Sequence, residues 1–373
     1  MLFRRLLIAA LLAMPGLLYW QSRQSERPAP KPLAVQMHRA AAHSIHAEQF
    51  IGAEVPGRMC HVSSIAPLGG NRMAAVWYAG SREGAADVAI FWSEFNGTNW
   101  SAPRVLLDVA GCRRELGRWV KKLGNPVLFR DGTSRLWLFY ASVAAGGWST
   151  CSLNYKTSTD EGHTWSRSQK LVLSPLFNLT HNVKNKALLL DDGSFLLPVY
   201  HELIRKQSDL LRVQPEGDEI RVQIERMTHS GRAIQPALVP LAGDHVTAFF
   251  RNMQGGPLLS STSTNSGRSW TDLRTLAQQN PDAGLDAIRL DTGALLAAIN
   301  GGTNRSRLGL YLSEDDGATW RLARPIEDKP GMEYSYPSLA RDNEGHIHLS
   351  YTFERRRIKH HRFNEAWLRE GLR

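Results

Sequence analysis

Six short apolar runs open on a residue that could do chemistry or stand beside it. They begin at His61, Asn125, Asn185, Gln235, Leu285 and Tyr336. Their starts are about 50 to 65 residues apart. All but Leu285 carry a polar group where a sealed core would carry an aliphatic one. If the runs are strands around one axis, their first residues meet at one mouth. Such a ring either wets a pore or lines a single pocket. His61 and Tyr336 could then act there as an acid and base pair. Metal chemistry has no comparable support. No Cys/His spacing suits zinc, and the adjacent His360 and His361 would point to opposite faces of a strand. Neither a metal nor a cofactor is expected.

The elements that must position this ring are legible from a second repeat. Ser-x-Asp-x-Gly-x-x-Trp occurs as Ser158-Thr-Asp160-Glu-Gly162-His-Thr-Trp165 and Ser313-Glu-Asp315-Asp-Gly317-Ala-Thr-Trp320. A variant runs from Ser263 to Trp270 and a decayed copy from Ser93 to Trp100. Asp or Asn bonds its own backbone in a turn, Gly supplies a positive φ, and Trp packs back on the sheet. The motif therefore reads as a hairpin staple. The long gap between the second and third copies implies one lost copy. Most of the six runs lead through a turn, such as Asp192-Gly193 or Glu344-Gly345, into a second apolar strand. Six units of strands and tight turns over residues 46–373 predict an all-β, six-bladed β-propeller with about four strands per blade.

Composition agrees with a large folded body: 373 residues, 42% hydrophobic, with 31 Gly and 18 Pro. The net charge of +10 is spread along the chain, so it points weakly to anionic partners. The one basic cluster, Arg355 to Arg362, lacks interleaved aromatics and reads as a solvated outer edge, not a nucleic-acid surface. Arg4 and Arg5 followed by apolar Leu6 to Trp20 form an export pattern. Residues 1–22 are expected to be a signal peptide or a membrane anchor, and the Pro-rich 23–45 a linker. The body would lie in the periplasm or cell envelope, secreted or tethered. Among Cys60, Cys112 and Cys151, a Cys112–Cys151 disulfide is the expected pairing.

The repeats and their register resemble the sialidase (neuraminidase) superfamily, in its bacterial form built from Asp-box repeats. The resemblance covers nearly all of 46–373. It implies an exo-glycosidase working on a terminal acidic sugar, with a glycan as partner. It assigns Arg251, ending Val246-Thr-Ala-Phe-Phe-Arg251, and Arg305, before Leu308-Gly-Leu-Tyr-Leu-Ser313, to the substrate carboxylate. His61 stands where the family has its first arginine, and Asn185 in the same substrate-binding ring. Tyr336 matches the nucleophile, with Tyr334 as fallback. Gln235 stands where a glutamate should activate that tyrosine, so Glu202 or Glu333 would have to supply a carboxylate. Glu83 and Asp87, in the loop after the second strand, match the acid/base. The departures at His61 and Gln235 leave open a glycan-binding propeller without turnover, or another hydrolase or a lyase on the same fold.

Overall fold

Short apolar runs joined by Gly- and Asp-rich turns fold as up-and-down antiparallel sheets. The computed structural model describes residues 30–33, 43–53, 58–173, 181–202, 206–217 and 219–372. The chain divides into two units, Met1–Pro30 and Lys31–Arg373. The second is a six-bladed propeller. The expected signal or anchor at 1–22 lies outside the described residues, as does most of the linker.

Blade 1 consists of Met59–Gly69, Arg72–Gly80, Ala89–Phe95 and Arg104–Asp108, from the axis outward. The inner strands of blades 2 to 6 are Lys122–Arg130, His181–Val183 with Leu188–Leu189, Ala233–Pro240, Asp286–Arg289 and Tyr334–Arg341. Blade 3 has five strands because its inner strand is broken in two; the other five blades have four each. Middle strands such as Leu136–Val143 are buried along their whole length, since each blade packs on a neighbour over both faces. That is why they read as continuous apolar runs. The ring is closed by His46–Ile51, which pairs with Arg357–Phe363 as the outermost strand of blade 6. The first and last parts of the propeller thus share one sheet.

The Ser-x-Asp motifs staple hairpins as expected, and they also join blades. Ser313 Oγ donates to Asp315 at 2.7 Å and accepts from the Gly317 amide at 2.8 Å. Asp315 accepts from the Thr319 amide at 2.9 Å, and the Trp320 indole donates to the Gly317 carbonyl at 3.1 Å. The copies at Ser158 and Ser263 repeat this network. A Cβ at Gly317 would lie 2.3 Å from Phe249 of blade 4, and one at Gly162 would lie 2.4 Å from Trp92 of blade 1. Each staple therefore seats its glycine on the preceding blade. The lost copy falls in blade 3, whose Gln207–Glu216 and Glu219–Arg226 strands form a plain hairpin.

Cys112 and Cys151 are free thiols, which corrects the disulfide expectation. Cys112, in the helix Val109–Leu116, lies 3.5 Å from the Tyr140 hydroxyl, while Cys151 donates to the His181 carbonyl at 3.1 Å. Each has its own buried partner, in a different place.

Gly317 has a φ of +93° as well as no room for a Cβ. Gly317→Ala should destabilise the propeller by about 2–3 kcal/mol. Denaturant unfolding measures this. Unchanged stability would show that the staple does not bear on the blade interface.

Candidate active site at the channel mouth

Four inner strands share one irregularity near their start. Two residues face one across the ladder at Val62–Ser63, Asn125–Pro126, Gln235–Pro236 and Tyr336–Pro337. The first residue of each bulge has a positive φ: +51° at Val62, +48° at Asn125, +54° at Gln235 and +53° at Tyr336. A bulge turns the chain and re-aims the side chain that carries it. The proline that follows in three of the four loses no ladder bond, because the bulge has none to make. This explains the X-Pro pairs. It also corrects the register in blade 1, where Val62 matches Asn125, Gln235 and Tyr336. His61 lies one residue earlier, opposite Tyr78.

Below the bulges, blade 3 crosses the channel. Lys184 and Asn185 are both buried. The Lys184 ammonium donates to Asn185 Oδ1 at 2.9 Å, to the Leu285 carbonyl of blade 5 at 3.3 Å and to the Pro337 carbonyl of blade 6 at 2.5 Å. Asn185 donates to the carbonyls of Gln235 and Pro236, in blade 4, at 3.1 and 3.0 Å. Burial lowers the Lys184 pKa to about 8. Asn185 is therefore a floor residue holding the bulge of blade 4, while Lys184 holds that of blade 6, and the Asn185 amide is not turned to the mouth as a sugar contact would be. Leu285 is buried and contributes only its carbonyl.

Above that floor, polar contacts run round the mouth through all six blades. The Trp148 indole (blade 2) donates to Glu83 of blade 1 at 3.3 Å. Glu83 accepts from Arg355 of blade 6 at 3.0 Å, and Arg355 donates to Glu333 at 2.7 Å. Glu333 also accepts from Arg305 of blade 5 at 3.2 Å. Arg305 donates to the Asp282 carbonyl at 2.8 Å, and Asp282 Oδ1 accepts from Arg251 Nε of blade 4 at 2.7 Å. Arg251 Nη1 lies 3.4 Å from Gln235 Oε1 and 3.3 Å from the Tyr336 hydroxyl. Gln235 Nε2 donates to Tyr200 of blade 3 at 3.0 Å, and Asn125 Nδ2 lies 3.4 Å from that hydroxyl, back in blade 2. The Arg305 guanidinium stands 5.4 Å from the centre of the Tyr336 ring, and the His61 ring meets that ring edge-on at 4.8 Å.

Tyr336, Arg251, Arg305, Gln235, Glu83 and His61 are thus brought to one mouth. Asp87 is not a reacting group in this arrangement. It is exposed and accepts from the Ser81 amide and hydroxyl at 3.0 and 2.9 Å. These bonds hold its carboxyl below the usual range and fold the loop that presents Glu83. Glu202 follows the strand Phe195–His201, and its charge bears on Tyr200 and Cys151. Tyr334 is buried in the core between blades 5 and 6, so it is no alternative nucleophile. Glu333 is close by but is taken up by two arginines and by Ser335, at 2.9 Å. Although burial opposes its charge, these partners lower its pKa to about 2, which makes it a poor base.

The main omission of the sequence reading is Arg355. It sits in the turn after Ile347–Phe353 with a φ of +55°, just past the second strand of its blade, as Glu83 and Glu202 are past theirs. That shared place was the available signal. Apart from the exposed Arg356, the remainder of the basic cluster is not a solvated edge either. Arg357 lies 3.5 Å over the Phe50 ring, and His360 and His361 are buried. His61 does not replace a guanidinium. It is 1% exposed with no hydrogen-bond partner for Nδ1. Burial lowers its pKa to about 3, helped by Arg355 and Arg305 against the pull of Glu333. It is a neutral ring.

The far end of the channel opens into a smaller cavity of about 260 Å³ lined by Leu128, Leu238 and Ile288 among others. Of its four cations, Arg130, Lys186, Arg289 and Arg341, the second and last pair with Asp286 and Asp291. The unusual chemistry is at the first mouth. From there a groove of about 580 Å³ runs outward past Asp282, Arg305, Gly256 and Thr303.

Six blades, Ser-x-Asp staples and an arginine–tyrosine mouth define a sialidase-like propeller. The family model for the BNR repeat-like domain matches residues 71–349, and the chain belongs to that family. No curated protein matches it. Among solved structures it is similar to the Hadza microbial sialidase Hz136, at 16% identity and a TM-score of 0.68 over 82% of this chain and 65% of that one. It thus spans just under two thirds of that protein's length. It is similar to the intramolecular trans-sialidase from Ruminococcus gnavus at 16% identity, with a TM-score of 0.67 over 83% of this chain and 95% of that one. A protein of unknown function from Dyadobacter fermentans matches at 13% identity with a TM-score of 0.68, over 85% and 97% of the two chains.

His61 gives a pH signature. Its folded pKa of about 3 lies below the unfolded value of 6.5. The unfolded chain therefore binds the extra proton between those values, and stability falls as pH drops from 6.5 towards 3. His61→Phe should show a shallower loss over that window than wild type, in urea unfolding at pH 7 and pH 4.5. Equal slopes would show that His61 is not buried neutral.

Proposed function

We propose that the protein is an exported, sialidase-like exo-glycosidase that takes a terminal acidic sugar at this mouth. In this reading Arg251 and Arg305 hold the sugar carboxylate, Tyr336 is the nucleophile and Glu83 the acid/base. The observation that carries it is the Arg251 guanidinium 3.3 Å from the Tyr336 hydroxyl, with Arg305 over the ring. Negative charge developing on that oxygen would form against fixed positive charge, which is how a weak nucleophile is activated. The remainder of the glycan would extend along the groove past Asp282 and Thr303. The names of the structurally similar sialidase and trans-sialidase support the substrate class. Export is proposed on the Arg4-Arg5 and Leu6–Trp20 pattern. A periplasm-dependent reporter fused after Pro32 should be active, and an inactive fusion in the cytosol would refute export.

One observation favours a second reading, a glycan receptor. Gln235 is engaged by Arg251 and Tyr200 and has no basic atom. Among the described residues, the Tyr336 hydroxyl meets Arg251, not a carboxylate. The lyase reading loses its acid, because His61 is buried and neutral.

The structure changes what the arginines ask of a ligand. Each already has a carboxylate: Asp282 for Arg251, Glu333 for Arg305, and Glu333 with Glu83 for Arg355. They do not need an anion to offset burial, so an acidic sugar must displace Asp282 from Arg251. Asp282→Asn should therefore bind an acidic sugar about fivefold to tenfold more tightly. Arg251→Ala should weaken it by about 2–5 kcal/mol. Tyr336→Phe should lose turnover of a fluorogenic sialoside while titration calorimetry shows binding within about twofold of wild type. If wild type shows no turnover and Tyr336→Phe weakens binding as much as Arg251→Ala does, the hydrolase reading fails and the receptor reading stands.

A further inference from the structure

The strand that closes the propeller carries a set of ligand atoms far from the mouth. His46 and Glu48 are two apart on His46–Ile51, so they share a face. In the ladder Glu48 is directly opposite His361, with His46 on the diagonal. His46 Nε2 is 3.1 Å from His361 Nδ1, and Glu48 Oε2 is 3.6 Å from that same Nδ1. The three ligand atoms lie within 4.8 Å of one another. Two ligands on a tetrahedral zinc ion, each about 2.05 Å from it, would be about 3.3 Å apart. The observed separations bracket that edge.

The surroundings are those of a held ligand set. The Tyr351 hydroxyl donates to Glu327 at 2.5 Å, so it accepts from His361 Nε2, 3.2 Å away. This fixes the tautomer of His361 and leaves the Nδ1 lone pair facing His46 and Glu48. Such a relay behind a histidine is the usual partner of a metal ligand. Glu48 gives its other oxygen, Oε1, to Lys359 at 3.2 Å, which orients the carboxylate. The His46 ring is stacked on Trp367 of the helix Glu365–Glu370, with centroids 4.1 Å apart and planes 3° from parallel.

We propose that His46, Glu48 and His361 form a binding site for a divalent transition metal of zinc type, with a fourth position open to water. To bind it, His46 moves the proton it shares with His361 from Nε2 to its own Nδ1, so both imidazoles ligate as neutral groups. The site joins the first strand of the propeller to the last strand and the last helix. A metal there clamps the ring at the blade that its first and last strands share. No motif could show this, because the ligands are more than 300 residues apart in sequence.

The test uses the full chain and Zn²⁺ alone. Titration calorimetry should give one Zn²⁺ per chain, and saturating Zn²⁺ should raise Tm by a few degrees, reversibly with a chelator. His46→Gln and Glu48→Gln change exposed side chains and keep His361 in place, so both should fold. Each should weaken Zn²⁺ binding at least tenfold and lose the Tm shift. Circular dichroism matching wild type confirms that they are folded. Co²⁺ in place of Zn²⁺ should give the visible absorption of a tetrahedral site in wild type alone. No stoichiometric binding to wild type, or both variants binding as wild type does, would overturn the proposal. Sialoside turnover is not part of this readout, so its outcome leaves the clamp unaffected.

Discussion

Three guanidinium groups in one channel mouth are the constraint on which the rest of this molecule turns. Arg251, Arg305 and Arg355 come from blades 4, 5 and 6, and each is held by a carboxylate on a neighbouring loop or blade. Like charges this close are costly unless compensated in place. The compensating carboxylates join blades 4, 5, 6 and 1, so a shift among those blades would unpair a charge, and neutral contacts carry the ring on through blades 2 and 3. The Ser-x-Asp staples that seat glycines on preceding blades limit such shifts. So does the Lys184 ammonium below, which ties the broken inner strand of blade 3 to blades 5 and 6. The bulges at Gln235 and Tyr336 are held from beneath by these floor bonds and from above by Arg251.

The same balance separates recognition from chemistry. The mouth carries as many acidic as basic groups, so in the proposed reading an anionic ligand would bind by exchange: its carboxylate for Asp282. Tyr336 has positive charge beside its oxygen but an amide, Gln235, where a base would stand. His61 adds a neutral ring against Tyr336, and Arg355 brings a third guanidinium to the mouth from the neighbouring blade 6.

The fold was legible because its signals are local. A turn that needs Asp, Gly and Trp at fixed offsets announces itself wherever it occurs, and the X-Pro bulges recur at every second blade, in blades 2, 4 and 6. The mouth was legible where it coincides with those signals, and Arg251, Arg305 and Glu83 were reached through the resemblance alone. Tyr336, Gln235 and Asn125 stand at bulges and were found. His61 was misplaced by one residue because the bulge in blade 1 falls on Val62, which looks like an ordinary strand residue. Asn185 was placed correctly in sequence, yet the extra residues in its broken strand turn it across the channel. Arg355 was hidden in a run of basic residues, of which only His360 and His361 are fully buried in blade 6. Pairings such as Arg355 with Glu83 join residues 272 apart, and the thiols Cys112 and Cys151 chose separate partners for equally non-local reasons.

The most direct test is a crystal structure of the protein soaked with a terminal acidic sugar. The account predicts the sugar at the mouth, its carboxylate on Arg251 and Arg305, Asp282 turned away from Arg251, and the anomeric carbon beside the Tyr336 hydroxyl. A sugar bound elsewhere, or one at the mouth with the Asp282–Arg251 pair intact and Tyr336 out of reach, would contradict it.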